Sequence, residues 1–352
     1  MIFQKSLIGN SVAATNQWNE VQRARHNANL QEQMFAKAGQ IQANVGLIPR
    51  DVYQDFDNVT VERMRSDDGD TYLNDLLPLS RSVNIGKLVS KFRQASDAGI
   101  TQTSMTGQIG VKMDQVEFKY DGTVIPIHDT GFFRNWREWN AQTSEGFDGL
   151  IDDQRESVAS IRAHLADSFL DGHLDTDGNA IVVDGLSWAG MRNDTRVVQV
   201  DLSSAPVFDF TDTTKTYAEI EAAFKVVRDI LWITQKCQKE ATYYVSREIA
   251  SNFERNSSES YSSEKIQNRL AQLQGVAAIK VSSKLSLNSG NEMMAFPLDQ
   301  MNVRPVVGMG VNTVAMPRPV YNSNYEFVVW SATGFEVKTD YFGNTCALHA
   351  TG

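Results

Sequence analysis

The sequence predicts an α+β protein of two or more lobes, and three observations predict it. The chain has 352 residues, more than the ~250 to 300 at which a single hydrophobic core stops growing. Apolar residues recur at helical spacing in 13–45 and 143–171, whereas they alternate with polar residues in 109–120. Helical and strand-like segments then follow one another after about residue 200, which is typical of an α/β lobe.

Residues 13–45 predict a helix with a narrow apolar stripe that includes Trp18, Val21 and Phe35. Because this apolar stripe is narrow, the helix can bury little apolar surface against its own chain. The segment is therefore either an ordinary surface helix or an arm that docks on a neighbouring molecule. We expect the arm, with Trp18 and Phe35 in contact with the neighbour. A second helix is predicted over 49–64, with Pro49 at its first position.

Two strands, 83–92 and 109–120, predict a long two-stranded ribbon with a polar tip at 94–108. The alternation of apolar residues slips by one position near Asp114, which indicates a β-bulge. Asp97 is the one charged residue of the tip. Because a lone ribbon is only marginally stable in water, we expect the tip to lie on another subunit.

An aromatic and charged cluster follows the ribbon: Phe132, Phe133, Arg134, Trp136, Arg137, Glu138 and Trp139. Such a cluster could stack on bases or sugars, or it could anchor the packing where the ribbon meets a helix. We favour the packing anchor.

Residues 143–171 predict a helix of up to ~43 Å, closed by Gly172 as a left-handed C-terminal residue. Residues 180–200 predict a hairpin-like pair of strands. Thr216 and Glu219 form a capping box for a helix that runs to about Cys237. The remaining predicted elements are strands near 241–245, 278–285, 293–296 and from 325 onward, with helices near 246–255 and 263–273.

Charge and motifs exclude several classes of function. The formal net charge is -10 and no run of Lys or Arg forms a basic stripe, so strong phosphate binding is not expected. An acidic wall suits a container that must not adhere to the nucleic acid inside it. The sequence contains no phosphate loop, dinucleotide-binding glycine motif or nucleophile elbow, and its five histidines form no i, i+4 pair. We therefore expect no enzyme, cofactor or metal site.

Two local patterns have ordinary explanations. Residues 173–184 resemble a calcium-binding loop, but they begin with His and end with Asp, so we expect an Asp-Gly turn. Cys237 and Cys346 are far apart, in segments predicted as a helix and a strand, so we expect neither a disulfide framework nor a zinc site, and a reducing compartment. The N-terminal stretch is too weakly apolar for a secretory signal, and no segment has the length and apolarity to cross a bilayer.

The sequence resembles a group of tailed-phage major capsid proteins. The stretches that carry the resemblance are LIPRDV (47–52), LNDLLP (73–78), SVNIGK (82–87), SMTGQ (104–108), YDG (120–122), PIHD (126–129) and WRE (136–138). None is a catalytic motif, so the specificity comes from their number and order. The resemblance is densest over 47–172 and thinner beyond it.

The resemblance implies the capsid fold of phage Hong Kong 97, which encapsulins share. It implies an N-terminal arm (1–46), a first part of the peripheral domain (47–82), the extended loop (83–130), the peripheral domain with its spine helix (131–200), an axial domain (201–310) and a C-terminal return to the peripheral domain (311–352). The chain would assemble into hexamers and pentamers of an icosahedral head, in the host cytoplasm, around double-stranded DNA. The alternative is an encapsulin-like compartment with a protein cargo.

The implied partners are further copies of the chain, a portal and DNA bound without sequence specificity; a decoration protein stays open. Because the chain lacks a long charged N-terminal extension, a separate scaffolding protein is implied. Some relatives crosslink a ribbon lysine, but nothing marks Lys87 or Lys91 as reactive. The candidate interface residues are Trp18, Phe35, Arg93, Asp97, Gln102, Met105, Trp136, Arg137 and Glu138.

Overall fold

A computed structural model of the chain describes residues 19–27, 29, 71–106, 108, 110, 112–144, 149–204, 208–257, 264–320 and 322–352. The chain divides into two compact units. The first unit takes its described residues from Met1–Asp68, Ile127–Arg162 and Gly310–Ser331. The second unit takes them from Gly69–Pro126, Ala163–Met309 and Ala332–Gly352.

The α-helices of the described residues are α1 (19–27), α2 (Thr71–Leu76), α3 (Trp136–Ser144), α4 (Gly149–Asp171), α5 (Tyr217–Asp229), α6 (Arg247–Phe253) and α7 (Ile266–Ala271). A π-helix, Ile230–Thr234, continues α5. The strands are β1 (Arg81–Ser82), β2 (Val89–Ala95), β3 (Phe118–Val124), β4 (Ile127–Arg134), β5 (Val198–Asp201), β6 (Ala241–Val245), β7 (Val276–Val281), β8 (Glu292–Phe296), β9 (Val303–Ala315), β10 (Tyr325–Val337) and β11 (Leu348–Thr351). Within the described part of the chain, no helix combines the length and apolarity needed to span a membrane.

The second unit is built on a five-stranded sheet of order β5-β11-β8-β6-β7. Its two outer pairs, β11 with β5 and β6 with β7, are parallel, and the two inner pairs are antiparallel. Because side chains alternate along a strand, Tyr243 of β6 faces α5, α6 and α7, where it packs near Phe224 and Phe253. This face is the main hydrophobic core of the unit.

The opposite face of this sheet carries an aromatic layer. Tyr244 of β6 stacks on Phe296 of β8, and Phe169 of α4 contacts Phe296 edge to face at 5.8 Å between ring centroids. Trp188 is fully buried in the same layer, and its indole N–H donates to the Ser168 carbonyl at 2.9 Å. Buried aromatic side chains in these geometries contribute beyond their area alone. The layer therefore fixes the end of α4 against the sheet.

In the first unit, α1, α3, β4 and β10 share a small core. Val21 of α1 is buried together with Trp139 of α3 and Tyr325 of β10, and Phe132 of β4 stacks on Phe327 of β10 at 5.1 Å. In this unit the strand order is β9-β10-β4. In the second unit β1 pairs with β9 in parallel, Arg81 with Val306 and Ser82 with Val307.

Several predictions made from local patterns are confirmed. The α+β class is correct. Thr216 and Glu219 form the predicted capping box at the start of α5. Gly172, with φ +95°, ends α4, and a Cβ there would lie only 2.7 Å from the Trp188 carbonyl oxygen. The Asp-Gly turn also forms, since the Asp175 side chain accepts from the main-chain N–H of Asp177 and Asn179. Of the predicted helix over 143–171, residues 143 and 144 belong to α3 and residues 149–171 form α4, whereas residues 145–148 lie outside the described residues.

The predicted hairpin over 180–200 is wrong. This segment consists of tight turns with two isolated bridges, Leu174 to Ala180 and Val183 to Leu186, before β5 begins at Val198. Left-handed Gly185 and Gly190 turn the chain, and Gly190 lies so close to the main chain of Leu170 that no side chain would fit. Trp188 is buried, whereas the apolar residues 181–183 are exposed or half-buried and do not form a strand.

The expectation that the two cysteines form no disulfide is also wrong, and so is their predicted placement in a helix and a strand. Cys237 and Cys346 form a disulfide, with Cα atoms 5.5 Å apart across a sequence separation of 109. Neither cysteine lies in a helix or strand; Cys237 follows the π-helix and Cys346 precedes β11. Because β11 returns to the centre of the sheet, it brings the segment before it to the end of the π-helix. Distance along the sequence therefore gave no measure of distance in space.

Candidate assembly surfaces

The ribbon consists of a paired base, β2 with β3, and a tip, residues 96–117. The base pairs Val89 with Val124 through to Ala95 with Phe118 without a register shift. The first strand, predicted over 83–92, runs from Val89 to Ala95, and the second, predicted over 109–120, runs from Phe118 to Val124; the predicted β-bulge at Asp114 is wrong. Asp114 lies outside the strands, where its side chain accepts from the Gln115 N–H at 2.9 Å. Alternation continues beyond the last paired residues because the tip is amphipathic, not because it is paired.

The base is fixed to the second unit at Gly122. Arg196 donates to the Gly122 carbonyl at 2.7 Å and to the Ser187 carbonyl at 2.7 Å. Asp194 neutralises the guanidinium at 2.6 Å. Burial alone raises the pKa of Asp194, but the hydrogen bonds and charge of Arg196 outweigh it, so the pKa falls below its ordinary value. The ion pair thus remains charged while it holds the strand.

A C-terminal turn, residues 339–345, supports the other side of the base. The Gln94 side-chain amide donates to Thr339 Oγ1 at 2.6 Å, and the Tyr341 hydroxyl donates to Glu117 at 2.6 Å. Lys119 places its ammonium group 4.0 Å from the centre of the Tyr341 ring. The base of the ribbon is therefore not a lone pair of strands, because its own chain supports it on both sides.

The described residues of the tip are mostly exposed. From 97 to 117, every described residue except Ser104 is exposed. Met105 is completely exposed, Met113 is 91% exposed and Ile100 is 55% exposed. Large apolar side chains this exposed are candidates for contact with another molecule.

The four candidate interface residues of the ribbon all lie on its surface. Asp97, Gln102 and Met105 are in the exposed tip. Arg93 is exposed on β2, and its guanidinium carbon lies 4.5 Å from the centre of the Phe118 ring, across the ribbon.

The candidates on α3 form a second exposed surface, in the first unit. Trp136 and Phe133 are 36% and 67% exposed, whereas Trp139 is fully buried. Glu138 lies 3.6 Å from Arg134, which also pairs with Asp153 of α4. The predicted packing anchor is therefore formed by Trp139 and Phe132, with β10 as their partner. Trp136, Arg137 and Glu138 are exposed beside it.

Trp18 and Phe35 lie outside the described residues. The nearby residues of α1 contact their own unit: Val21 is buried, and Glu20 pairs with Arg318 at 3.2 Å. Helix 49–64 likewise lies outside the described residues.

A buried polar cluster fixes the last strand in place. Glu292 of β8 is completely buried and accepts from Arg192 at 2.8 Å, from His349 of β11 at 2.9 Å and from the Leu287 N–H at 3.0 Å. Burial raises the pKa of Glu292, but these hydrogen bonds and the charge of Arg192 lower it to about 2. Arg192 is further bound by Asp171 at the end of α4. The cluster is structural, because every oxygen of Glu292 has a partner from its own chain.

Sequence patterns did not indicate the residues that position the ribbon. Arg196 and Gly122 are 74 positions apart, and Gln94 and Thr339 are 245 apart. The one local indication was the Asp340-to-Asn344 turn, in which the Asp340 side chain accepts from the N–H groups of Phe342 and Asn344. Across the part of the chain that is described, no group of three or more His, Cys, Asp or Glu residues is placed to bind a metal ion.

Comparison with known proteins identifies the fold. A family model described as a family of unknown function (DUF6260) matches residues 19–350. No curated protein sequence matches the chain.

Among solved structures, the capsid of Myoviridae phage XM1 is similar with a TM-score of 0.65, at 11% identity over 87% of this chain and 99% of that chain. The capsid of a native GTA particle has a TM-score of 0.54, at 12% identity over 88% of this chain and 97% of that one. A chain of Mycobacterium phage Ogopogo has a TM-score of 0.55, at 10% identity over 87% and 99%. The chain therefore has the fold of tailed-phage capsid proteins, and the predicted fold is confirmed.

Proposed function

The chain belongs to the family of unknown function DUF6260. From its fold, which is that of tailed-phage capsid proteins, we propose that it is the major capsid protein of a tailed bacteriophage. Copies of the chain assemble into hexamers and pentamers and close an icosahedral head around double-stranded DNA. The role is structural, not enzymatic. The observation that carries the proposal is the ribbon, with a base fixed on its own chain and a tip that its own chain leaves exposed.

Burial of its exposed apolar side chains favours contact between this tip and a neighbouring copy of the chain. Complete burial of a side chain such as Met105 or Ile100 contributes about 1.5 to 3 kcal/mol. One such contact is weak, but a closed shell repeats it at every subunit, so multiplicity supplies the stability. A fixed base lowers the cost further, because the strands that carry the tip are already ordered before they bind.

The other surfaces take roles within the same shell. We assign Arg93, Asp97, Gln102 and Met105 to the contact made by the ribbon. Trp136, Arg137 and Glu138 are assigned to a second contact between subunits. The arm, with Trp18 and Phe35, makes a third. The domain bounds are those that the resemblance implies.

The proposal includes partners other than the chain itself. A separate scaffolding protein and a portal direct assembly in the host cytoplasm, and the product is the head of the virion. The net charge of -10 per chain suits a wall that encloses DNA without binding its sequence. A decoration protein is a further candidate for the exposed outer surfaces.

A deletion tests the proposal. Residues 97–116, between the bonded pair Ser96 and Glu117, are replaced by Asn-Gly, which suits a two-residue hairpin. The base contacts of Gln94, Glu117 and Arg196 are left in place. We expect soluble, cooperatively folding subunits or capsomers that form no closed shells. Circular dichroism reports the fold, and sedimentation with negative-stain microscopy reports assembly. The control is T101S/T103S, which keeps the tip and its apolar side chains.

The result separates three outcomes. Closed, DNA-filled particles from the wild type and the control, but not from the deletion, support a phage head that is closed by the ribbon. Wild-type shells from the deletion variant contradict this role for the ribbon. Particles that contain protein cargo and no nucleic acid favour an encapsulin-like compartment. A wild-type chain that remains a monomer or small oligomer contradicts the shell altogether.

A further inference from the structure

The Cys237–Cys346 disulfide joins the end of the C-terminal turn, which supports the ribbon, to the loop after the π-helix. Cys346 follows the C-terminal turn, and Cys237 follows the π-helix. The turn is closed on itself by a bridge between Thr339 and Thr345. On one side it contacts the ribbon through Thr339 and Tyr341. On the other side the Thr345 N–H donates to the Gln235 side chain at 3.0 Å, and the disulfide adds a covalent link to the same loop.

The backbone beside Cys237 indicates that the link constrains this loop. Lys236 has a φ of 54°, in the left-handed region that residues other than Gly adopt only where their surroundings enforce it. Lys236 lies between Gln235, which binds the turn, and Cys237, which is bonded to it. The loop and the turn are thus held together by two contacts, one of which is reversible by reduction.

The disulfide is accessible from a groove of about 580 Å³. Both cysteines line it, together with Phe92, Arg93 and Gln94 of the ribbon base. Cys237 is buried and Cys346 is half-buried. The charged residues of the lining are mainly cationic: Arg93, Lys236, Lys239 and Lys338 against Asp299 and Asp340. Such a groove concentrates small anionic molecules.

We propose that the disulfide is a redox-operated lock on the ribbon, opened and closed by exchange with a small anionic thiol, such as glutathione, that enters this groove. In the reduced state the C-terminal turn loosens and the ribbon base moves more freely. In the oxidised state the turn is fixed and so is the ribbon. Its consequence for a shell rests on the proposed function, in which the ribbon makes the contact between subunits. The lock itself is a property of the single chain.

The closing reaction is ordinary thiol–disulfide exchange. One cysteine thiolate attacks the small-molecule disulfide, forms a mixed disulfide and releases one small thiolate. The second cysteine thiolate then attacks the protein sulfur of the mixed disulfide, which forms the Cys237–Cys346 bond and releases the second small thiolate. The two protons lost by the cysteines go to the released thiolates. The protein is oxidised by two electrons, and the small disulfide is reduced by two.

Hydrogen exchange on the full unassembled chain tests the lock. The wild type is equilibrated with oxidised or reduced glutathione, and its redox state is checked by the mass of the alkylated protein. We expect reduction to accelerate amide exchange more than about tenfold in β2, β3 and the C-terminal turn, with no change in α6. The control is C237S/C346S, which should exchange rapidly in the same segments and ignore glutathione.

The other outcomes overturn the lock. Unchanged amide exchange in β2 and β3 on reduction would mean that the disulfide stabilises only the C-terminal strand and does not hold the ribbon. Equal acceleration in α6 would indicate general destabilisation. If glutathione neither reduces nor forms the disulfide, small thiols do not reach it from the groove. If a neutral thiol of the same reducing strength reduces the disulfide at the same rate as glutathione, the groove is not an anion site. Wild-type chains that show the lock but form no particles contradict only the capsid proposal, whereas particles without the lock contradict only this one. If the double variant does not fold, reduction of the wild type still decides.

Discussion

Arg196 donates a hydrogen bond of 2.7 Å to the main-chain carbonyl of Gly122, on β3 of the ribbon base. The same guanidinium also bonds the Ser187 carbonyl and Asp194. One side chain therefore joins the ribbon to the segment between α4 and β5. An extended element that must contact another molecule benefits from such a fixed root, because its orientation is set before contact is made.

Loss of this guanidinium should destabilise the subunit strongly. In R196M, Asp194 keeps its buried position, with 4% of its side chain exposed, but loses its counter-ion. Breaking one partner of a buried pair costs about 3 to 5 kcal/mol. We expect the free energy of unfolding, measured in urea, to fall by about 3 kcal/mol. R93M, at an exposed position of β2, is the matched control and should change stability little.

A second substitution distinguishes two effects of losing Arg196: the unpaired buried charge of Asp194 and the lost hydrogen bonds to Gly122 and Ser187. In R196M/D194N the carboxylate is replaced by a neutral amide, so part of the lost stability should return. A double variant no more stable than R196M would mean that the hydrogen bonds to Gly122 and Ser187, not the charge of Asp194, account for the cost.

Gly122 should tolerate no side chain. A Cβ at this position would collide with the main-chain carbonyl oxygen of Ser90 and lie 3.0 Å from the Lys91 Cα. Both atoms belong to the paired strand β2, so the clash can be relieved only by separation of the ribbon strands. We expect G122A to accelerate amide exchange in β2 and β3 by more than about tenfold.

The control for G122A is G110A, in the ribbon tip, where an added Cβ meets no atom within 4 Å. G110A should leave exchange in β2 and β3 unchanged. Equal exchange in the two variants would mean that the backbone near Gly122 adjusts to the extra atom without loss of strand pairing.

Local patterns predicted the elements whose determinants lie close together in sequence. The capping box of Thr216 and Glu219 and the left-handed Gly172 each depend on neighbours within a few residues, so sequence alone sufficed. The predicted limits of the ribbon strands were wrong, because apolar and polar residues still alternate in the tip whereas strand pairing ends at Ala95 and Phe118. Gln94, next to the last paired residue of β2, also bonds Thr339 of the C-terminal turn, a contact across 245 positions that no local pattern indicates.

The candidate surface residues divide in the same way, into those that local patterns predicted and those that depend on contacts between distant segments. Exposure of Asp97, Gln102 and Met105 followed from the polar, Gly-containing composition of the tip. The contacts that fix the ribbon, Arg196 with Gly122 and Cys237 with Cys346, join segments that the fold alone brings together. Within an amphipathic cluster, sequence also could not tell Trp139, which is buried, from Trp136, which is exposed. Only the packing of α3 against β10 distinguishes them.

Acid should destabilise the chain through Glu292. Its pKa is lowered in the folded state from an ordinary 4.5 to about 2, so the ionised carboxylate stabilises the fold above about pH 4.5. This contribution declines as the pH falls toward 2. A carboxyl group whose pKa falls this far contributes about 3 kcal/mol at neutral pH. Urea unfolding at a series of pH values should show stability falling through this window.

The comparison variant is E292Q, which removes the titrating group. It should be less stable than the wild type at neutral pH, because Arg192 and His349 lose a buried anionic partner. The difference between the two proteins should then shrink as the pH falls from about 4.5 to 2. A difference that stays constant across this range would assign the acid sensitivity to other carboxyl groups. E138Q, whose side chain is 57% exposed, controls for the loss of a surface charge.

Placing a charge on the ribbon tip should block assembly without unfolding the subunit. Met105 is completely exposed, so M105D removes no packing within the chain and should leave the melting temperature unchanged. If Met105 is buried against a neighbouring copy in the shell, the same substitution places an unpaired carboxylate in an apolar contact, which is strongly unfavourable. The matched control is V182D, at an apolar position of the second unit that is 58% exposed and far from the tip in sequence. Sedimentation of both variants should show closed particles for V182D and only subunits or capsomers for M105D. Equal yields of particles from the two would mean that Met105 stays in water after assembly, and the apolar surface of the tip would then have no part in closing the shell.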